Sequence, residues 1–371
     1  MPLNPKKPFE LTTPRLLEEY LAKGKHMLIQ GRETYGQKLY RLYSDFGDVV
    51  VLPAEFMPEI RNNPALSFLE AANHVSIPQS RSQPMRPRIH LCAKPSILTR
   101  LDILPRTLTV NIPGFEPFCL TKESVNLINR NLTKVLAKLT MPLSQEATTG
   151  LQDLLTDSPE WHEVKAQAEI GRLVSWMSTR IFMGEEMCRN DEWVAAVSEY
   201  TRISFFTANE LRTWPDFLRP IEVRAKLPAP RRILKPLVEK RRALQAEALA
   251  RGEEPPVFDD AMGWFEKEYG QNYDPVIAQI TLSTVAIDTT TDLLQETMLQ
   301  IARHPEIFQP LRDEVVEALG KQGLQKTSPY NLKLMDSAIK EAQRLKPILI
   351  GIRRSALADV ELSNGFVIRK G

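Results

Sequence analysis

The architecture is indicated most clearly by the stretch Val285-Ala286-Ile287-Asp288-Thr289-Thr290-Thr291-Asp292, which lies in the middle of a long apolar segment. This segment begins well for a helix, because Asp274 is a favourable N-cap and Pro275 suits the first helical position. It stops before His304-Pro305, since the residue that precedes a proline disfavours the α conformation. A helix of this length, at about 1.5 Å per residue, would measure about 40 Å, and its apolar character predicts a buried position.

The polar run inside this helix breaks its apolar pattern. The three threonines from Thr289 to Thr291 are poor helix formers, and their hydroxyl groups can bond to carbonyl groups one turn back. Acids flank them at Asp288 and Asp292. Either one or both aspartates face solvent while the threonines pack, or the run marks a functional site, where local rules are often broken. The residues by themselves leave both alternatives open.

Composition and charge exclude several classes of protein. The chain has 371 residues, of which 43% are hydrophobic and 25% charged, which is typical of a globular protein rather than a disordered or fibrous one. A net charge of +2 argues against a nucleic-acid partner. The cysteines Cys92, Cys119 and Cys188 have no paired spacing, so we expect neither a disulfide scaffold nor a zinc site. We find no secretory signal peptide and no transmembrane anchor in this sequence.

The remaining patterns predict a mainly α protein with small β elements near both ends. Amphipathic helices are expected over Thr13–Gln30 and through most of Lys122–Arg303. A short strand is predicted at Val49–Leu52, and a hairpin around Asn364-Gly365. One predicted helix, Pro230–Arg251, is rich in cations, which form either a surface for an anionic partner or a solvated helix face.

Residues 75–110 differ in composition from the sequence on either side. This stretch holds five prolines and six basic residues against one acid, and no amphipathic period persists in it. A loop of this length is uncommon inside a compact domain. We therefore predict an irregular insertion or a gene-model artefact, such as an intron read as coding sequence.

Two further constellations lie towards the C-terminus. Glu341 and Arg344 are three residues apart in a predicted helix and can pair on one face. Arg354 enters the predicted hairpin, where its guanidinium could bind a planar anion such as a carboxylate. Each constellation alone is a weak signal.

Together, in this order and spacing, these features resemble the cytochrome P-450 family, specifically the fungal membrane-bound monooxygenases of secondary metabolism. The long central helix of that family carries the pattern Ala/Gly-Gly-x-Asp/Glu-Thr-Thr/Ser, to which Val285–Thr290 aligns. Glu341 and Arg344 match its Glu-x-x-Arg helix, and Arg354 matches an arginine that usually binds a haem propionate. The resemblance covers nearly the whole chain outside residues 75–110, and it implies a single, incomplete cytochrome P-450 domain over 1–371.

The resemblance also implies roles for individual residues. Asp288 and Thr289 would be the catalytic pair that delivers protons during oxygen activation, and Glu341 with Arg344 would be a structural ion pair. The cofactor would be heme b, and the residues expected to contact it are Ala286, Thr290 and Arg354. The substrate-facing residues would be Val285, Ile348, Leu349 and Ile350.

The expected metal ligand is missing from this sequence. In the resembled family a cysteine thiolate in a glycine-containing loop, well beyond the hairpin, holds the haem iron. None of Cys92, Cys119 and Cys188 has that context, so we assign no metal ligand, and we expect Cys188 to be a packed thiol. We also expect the chain to begin after the membrane anchor of a family member and to end before its cysteine loop.

Three functions follow as hypotheses. The first is a haem-thiolate monooxygenase that oxidises a small apolar secondary metabolite, is monomeric, receives electrons from an NADPH-dependent cytochrome reductase and, at full length, associates with the endoplasmic reticulum membrane. The second is a non-catalytic remnant of the family that cannot bind haem. The third is a Mg²⁺-dependent isoprenoid synthase, in which Asp288 with Asp292 and the pair Asp259-Asp260 would bind the metal.

Overall fold

A computed structural model describes most of the chain in two compact units. The residues described are 2–44, 47–68, 71, 116–118, 121–158, 160, 162–210, 225–270, 272–320, 323–325, 327–347 and 353–370. What we call the terminal unit comprises Met1–Leu120, Leu211–Trp214 and Ile350–Gly371, and the helical unit comprises Thr121–Glu210 and Pro215–Leu349. The predicted insertion at 75–110 lies outside the described residues, and the single domain over 1–371 stays a prediction.

The terminal unit contains the β elements that the sequence places near both ends. Its elements are α1 (Pro14–Tyr35), β1 (Tyr40–Ser44), β2 (Gly47–Val51), α2 (Met57–Arg61), β3 (Leu66–Ser67), β4 (Ser355–Ala356), β5 (Val360–Glu361) and β6 (Val367–Ile368). The pairs β1–β2, β3–β4 and β5–β6 are all antiparallel. Because β3 pairs with β4, the C-terminal segment shares a buried cluster that includes Phe56, Leu66 and Leu362.

The predicted hairpin is confirmed as the β5–β6 pair. The Leu362 N–H donates to the Phe366 carbonyl at 2.9 Å, and the Gly365 N–H donates to the Leu362 carbonyl at 2.8 Å. These bonds leave a three-residue loop, Ser363-Asn364-Gly365, in which Gly365 has a φ of +77°. A loop of this kind needs a left-handed residue at its last position, and glycine adopts that conformation at little cost.

The helical unit confirms the prediction of a mainly α protein. Its helices are α3 (Lys122–Leu155), α4 (Ala166–Met183), α5 (Asp191–Glu210), α6 (Pro228–Ala250), α7 (Ala261–Tyr269), α8 (Pro275–Arg303), α9 (Phe308–Gly320) and α10 (Lys333–Leu345). The central helix α8 packs most extensively on α4, then on α10, and also contacts α5, α6 and α7. No helix within the described ranges is both long and apolar enough to cross a membrane.

The bounds of α8 follow from the signals at its two ends. Asp274 Oδ1 accepts hydrogen bonds from the N–H groups of Val276 at 3.0 Å and Ile277 at 3.2 Å, as an N-cap should. At the other end, the His304 N–H donates to carbonyl groups of the last turn, and Pro305 starts a new element. The predicted start and end of this helix are both confirmed.

Most cations of α6 form ion pairs with acidic side chains of the protein. This pairing favours a solvated helix face over a surface for an anionic partner. Four of them form ion pairs on the surface of the helical unit: Arg231 with Asp274, Lys235 with Glu239, Lys240 with Glu186, and Arg242 with Glu266. An anionic partner would have to compete with these carboxylates. Each exposed pair contributes little to stability on its own.

A fifth cation of α6, Arg241, forms a buried ion pair with Asp260. The guanidinium donates to the two carboxylate oxygens at 2.9 Å and 2.6 Å and to the Met183 carbonyl at 2.9 Å. Asp260 also accepts from the Gly263 N–H at 3.0 Å and thereby caps α7. One buried pair therefore joins α6, the last turn of α4 and the start of α7.

We expect Arg241→Met to lower the free energy of unfolding by about 3–5 kcal/mol, because it would leave the Asp260 carboxylate buried without its cation. The measurement is urea unfolding followed by circular dichroism. Arg242→Met is the matched control: its pair with Glu266 is partly exposed, so the expected loss is below about 1 kcal/mol. Equal losses in the two variants would contradict a special role for the buried pair.

Candidate active site

The middle of α8 has one buried face and one open face. Thr284, Ile287 and Thr291 are buried, whereas Val285 and Thr289 are exposed. Successive residues of an α-helix differ by about 100° around its axis, so the buried residues share one side and the exposed ones share another. The first alternative holds in part, since Thr291 is packed and Thr289 is not, and a functional role of the run stays a prediction.

The hydroxyl group of Thr289 is held by its own helix. Thr289 Oγ1 donates to the Val285 carbonyl at 2.7 Å. Because this bond engages the hydroxyl hydrogen, the lone pairs of the oxygen remain available on the open face of α8. In this arrangement Thr289 is prepared to accept a hydrogen bond from a neighbouring group.

Asp288 lies at the edge of a cavity between α8, α4 and α5. The cavity has a volume of about 380 Å³ and is lined by Gln167, Ala168, Gly171, Arg172, Ser175, Asp191, Val194, Ala195, Ser198, Ile287, Asp288 and Thr291. Desolvation in this position raises the pKa of Asp288, although solvent still reaches its side chain. Asp288 is thus a carboxyl group whose proton is held more tightly than usual.

Asp288 also differs from the other acids of α8 in having no cation. Asp292 pairs with Lys346 Nζ at 3.5 Å, and the same ammonium lies 3.2 Å from Glu296. Among the described residues no Lys, Arg or His forms an ion pair with Asp288. Of the acids in this helix, Asp288 is therefore the one left available for chemistry.

The sequence did not single out the α4 and α5 residues that complete the cavity. Arg172 donates to Asp191 at 3.5 Å and stacks on Trp176, with 4.5 Å between the guanidinium carbon and the ring centroid. Thr291 is only 2% exposed, and its hydroxyl has no hydrogen-bond partner in the described part of the chain. A signal was present in α4, where small or polar residues recur at spacings of three and four: Gln167, Ala168, Gly171, Ser175.

The magnesium hypothesis is wrong. Asp292 pairs with Lys346, Asp259 with Lys138 at 2.9 Å, and Asp260 with Arg241. In the described ranges no group of three or more His, Cys, Asp or Glu side chains could hold a metal ion. Three of the four aspartates that the hypothesis needs are therefore paired with cations of the protein itself.

Glu341 and Arg344 form the ion pair that their spacing predicts. Arg344 donates to the two oxygens of Glu341 at 2.7 Å and 2.6 Å, which is the bidentate geometry. Each partner favours the charged form of the other, so the pKa of Glu341 is lowered and that of Arg344 is raised. Both side chains are exposed on α10, and their structural role in a cofactor site stays a prediction.

Two other predicted sites fall in or next to the terminal unit. Arg354 donates to the Arg353 carbonyl at 2.8 Å, and its guanidinium carbon lies 5.6 Å from the centre of the Phe68 ring. The guanidinium group of Arg354 therefore contacts neighbouring protein groups just before β4. Its binding of a haem propionate stays a prediction. The residues Ile348, Leu349 and Ile350 lie outside the described part of the chain.

Cys188 is a packed thiol, as predicted. It is 3% exposed, and its Sγ donates to the Glu185 carbonyl at 3.2 Å and to Glu146 Oε1 at 3.6 Å. Burial and the nearby Glu146 carboxylate raise the pKa of this thiol, which disfavours the thiolate. The other two cysteines, Cys92 and Cys119, lie outside the described residues.

Comparison with known proteins decides the family. The model of the family described as "Cytochrome P450" matches residues 119–371. The chain belongs to the cytochrome P450 family. It is 43% identical over its full length to cytochrome P450 monooxygenase eqxH of Fusarium heterosporum, and 36% identical to hepE of Aspergillus oryzae. These matches cover 67% and 65% of the two relatives, so the chain spans about two thirds of their length.

The fold is shared with solved P450 structures. The chain matches a retinoic acid-bound cyanobacterial P450, CYP120A1, with a TM-score of 0.59 over 95% of this chain and 72% of the other. The sequence identity of 18% supports the fold alone. Predictions of a fungal member of this family and of its mainly helical fold are confirmed.

The open face of α8 fits one side of a haem, whereas the described cysteine does not fit the other. Val285 is 51% exposed on the open face of α8, and Ala286 beside it is small, so a flat apolar group would fit there. The Sγ of Cys188 already donates hydrogen bonds to Glu146 and to the Glu185 carbonyl, and burial raises the pKa of the thiol, which disfavours the thiolate. Within the described residues α8 therefore has an apolar face against which a haem would fit, whereas Cys188 does not fit the role of a thiolate ligand.

We expect Asp288→Asn to raise the free energy of unfolding at neutral pH. A carboxyl group whose pKa is raised by folding binds its proton more tightly in the folded state, so its ionisation costs stability as pH rises above the ordinary value of 3.8. Asparagine removes that cost, and the advantage should vanish as pH falls below 3.8. Urea unfolding across this pH range is the measurement.

Asp292→Asn is the matched control for this titration. It removes the ion pair with Lys346 and should lower the free energy of unfolding at neutral pH by less than about 1 kcal/mol. A loss of stability in Asp288→Asn at neutral pH would mean that the carboxylate has a favourable partner in the folded protein.

Proposed function

We propose that the protein is a haem-thiolate monooxygenase that oxidises a small apolar secondary metabolite. The observation that carries this proposal is the Asp288–Thr289 pair on α8, where an available acid adjoins a hydroxyl group on an open, partly apolar face. Membership in the cytochrome P450 family supports it, as does the naming of both relatives as monooxygenases.

The residues of α8 that would hold heme b are Ala286 and Thr290. From the family resemblance we also propose that Arg354 binds a propionate. When bound, a haem with a thiolate ligand supplies the activation of O₂, from which one oxygen atom enters the substrate and the other leaves as water. We propose that Val285 and the segment Ile348-Leu349-Ile350 supply apolar contacts to the substrate.

Thr289 would accept a hydrogen bond, and Asp288 would donate a proton, beside the reacting groups. The Thr289 hydroxyl gives its hydrogen to the Val285 carbonyl, so its oxygen would accept a hydrogen bond and hold a donor in place. Asp288, with its raised pKa and its place at the edge of the α4–α5–α8 cavity, would release its proton to a water molecule hydrogen-bonded to Thr289 Oγ1 and regain one from water that enters the cavity. An acid tuned towards the working pH is suited to this exchange.

The proposal extends to partners and location. Electrons would come from an NADPH-dependent cytochrome reductase, and the protein would work as a monomer at the endoplasmic reticulum membrane. Fungal relatives that are 43% and 36% identical support a shared electron supply within the family. The substrate itself is proposed only by class, as a small apolar secondary metabolite.

One observation favours a second candidate, a non-catalytic P450 remnant that does not bind haem. Among the described residues Cys188 is the only cysteine; it is buried and donates a hydrogen bond to Glu146, and burial raises the pKa of its thiol. The two candidates differ in a property that can be measured directly, which is the spectrum of the reduced carbon monoxide complex.

We expect the complete open reading frame of the transcript, expressed with a cytochrome reductase, to give the reduced carbon monoxide spectrum of a haem thiolate. Sequencing of the transcript should also show whether codons 75–110 are retained in frame. Past codon 371, it should be searched for a reading frame of the form Phe-x-x-Gly…Cys-x-Gly. Protein that is folded by circular dichroism but takes up no haem would favour the remnant.

In the haem-loaded protein, we expect Asp288→Asn and Thr289→Ala each to lower product formation per electron consumed by about 10²-fold, a usual contribution of positioned proton transfer. Thr281→Ala is the matched control, because Thr281 makes the same bond to a carbonyl one turn back, at 2.8 Å to Ile277, two turns earlier in α8. Equal losses in Thr281→Ala would assign the effect to the helix rather than to the pair.

A further inference from the structure

The cavity between α4, α5 and α8 lies on the side of α8 away from the proposed haem face. Ile287 and Thr291 line it and are four residues apart, so they share one side of the helix. Val285 and Thr289, on the open face, are each about 160° around the helix axis from Ile287. A molecule in the cavity would therefore touch Asp288, at the boundary between the two sides, without occupying the surface proposed for haem and substrate.

The cavity exists because small side chains face one another across it. Its lining from α4 and α5 includes Ala168, Gly171, Ser175, Ala195 and Ser198, each of which is too small to fill the space between the helices. The volume of about 380 Å³ is within the range of about 300–1,000 Å³ that is usual for small-molecule pockets. The space is therefore large enough for a small organic molecule.

Thr291 presents an unused polar group to this cavity. The residue is 2% exposed, and its Oγ1 has no hydrogen-bond partner in the part of the chain that the structure describes. Other hydroxyl groups nearby are satisfied by their own helices: Ser175 donates to the Gly171 carbonyl at 2.7 Å, and Thr297 donates to the Leu293 carbonyl at 2.8 Å. Burial of a hydroxyl group without a partner is unfavourable, so an occupant that bonds to Thr291 would remove that penalty.

The charges around the cavity leave one carboxyl group without a counterion. Three charged side chains line the cavity, Arg172, Asp191 and Asp288. Arg172 stacks on Trp176 and lies 3.5 Å from Asp191, so its charge is directed towards α5. Among the residues that the structure describes no cation pairs with Asp288, and desolvation is what raises its pKa. The lining therefore has two acids against one base, and the component that it lacks is a cation.

A primary ammonium group matches the unpaired carboxyl group of Asp288 and the unbonded hydroxyl group of Thr291. Its three N–H donors can bond to a carboxylate oxygen and to a hydroxyl oxygen at once, and its alkyl chain can lie against small apolar side chains. We propose that the cavity between α4, α5 and α8 binds a small organic cation, a primary amine whose ammonium group bonds to Asp288 and Thr291. Ala168, Val194 and Ala195 would contact its chain.

An amine in this cavity would regulate the proposed oxygenation, and this step rests on the proposed function. With an ammonium group beside it, the Asp288 carboxyl group favours its charged form and holds its proton less tightly. The ligand would also exclude the water from which Asp288 regains its proton. The bound amine would thus slow proton delivery without competing with the substrate.

The first test is binding of n-butylammonium chloride to the 371-residue chain, followed by NMR of labelled isoleucine and valine methyl groups. Ile287 and Val194 line the cavity, so their methyl signals should shift as the amine is added. The signal of Ile280, which is buried two turns earlier in α8 and is not part of the lining, should not shift. Sodium chloride at equal concentration is the control for ionic strength.

The second test uses variants of the two proposed ligand groups. Asp288→Asn should weaken amine binding about tenfold, since it removes the charge that faces the ammonium group. Thr291→Val keeps the shape of the side chain and should weaken binding about threefold through loss of the acceptor oxygen. Asp292→Asn is the matched control, because Asp292 is paired with Lys346 outside the cavity lining, and it should bind as the wild type does. Unfolding midpoints confirm that each variant is folded.

Two further probes separate an amine from other occupants. Both 1-butanol and butyrate share the chain of n-butylammonium, but the alcohol has no charge, and butyrate would need Arg172 as its partner. Three outcomes would overturn the proposal: binding of either probe as tight as that of the amine, equal amine binding by wild type and Asp288→Asn, or an Ile287 signal that does not respond.

The regulatory step has its own readout in the haem-loaded protein. Saturating n-butylammonium should lower product formation per electron consumed in the wild type and cause no further loss in Asp288→Asn. Unchanged product formation with the amine bound would overturn this step. The binding readouts need no haem, so a chain that binds the amine but forms no haem thiolate would contradict the proposed function and leave the amine site standing.

Discussion

Close packing of α8 on α4 organises the helical unit. Gly171 of α4 lies against Thr291, and a methyl group in its place would stand 3.6 Å from the threonine methyl carbon, at ordinary contact distance. Ile280 and Ile287 fill the same side of α8. Because a helix has only one side to bury against a given neighbour, this packing leaves Val285 and Thr289 on an open face and Asp288 at the boundary. The placement of the candidate catalytic groups follows from that geometry.

Charge in this unit is distributed so that one acid of α8 remains available. Lys346 binds both Asp292 and Glu296, and Arg241 binds Asp260 in the interior. Buried and partly buried ion pairs of this kind fix the relative positions of helices more than they add stability. Asp288 has no such partner among the described residues, and desolvation raises its pKa. The structure therefore separates acids that hold helices together from the one that can exchange a proton.

Features that depend on neighbours along the chain could be read from the sequence. Asp274 and Pro275 start α8, Gly184 ends α4 with a φ of +80°, and Glu341 pairs with Arg344 one turn away. The back bond from Thr289 to the Val285 carbonyl is likewise local. Contacts of this kind are fixed by helix geometry, because residues three or four apart always meet on one face. The ion pairs of the α6 cations could not be predicted in this way, because their acidic partners, such as Asp274 and Glu186, lie on other segments of the chain.

The amino-acid sequence alone predicted the helical class and the bounds of the central helix from periodicity and capping, and its short motifs gave the resemblance to the family. The catalytic role of Asp288 and Thr289 stays a prediction. Tertiary structure alone showed that Asp288 borders a cavity formed with α4 and α5, that Asp292 forms an ion pair with Lys346, and that the side chain of Phe9 is exposed to solvent. The physical reason is that burial and ion pairing depend on groups brought together from distant parts of the chain, whereas a helix and its caps need only their own residues.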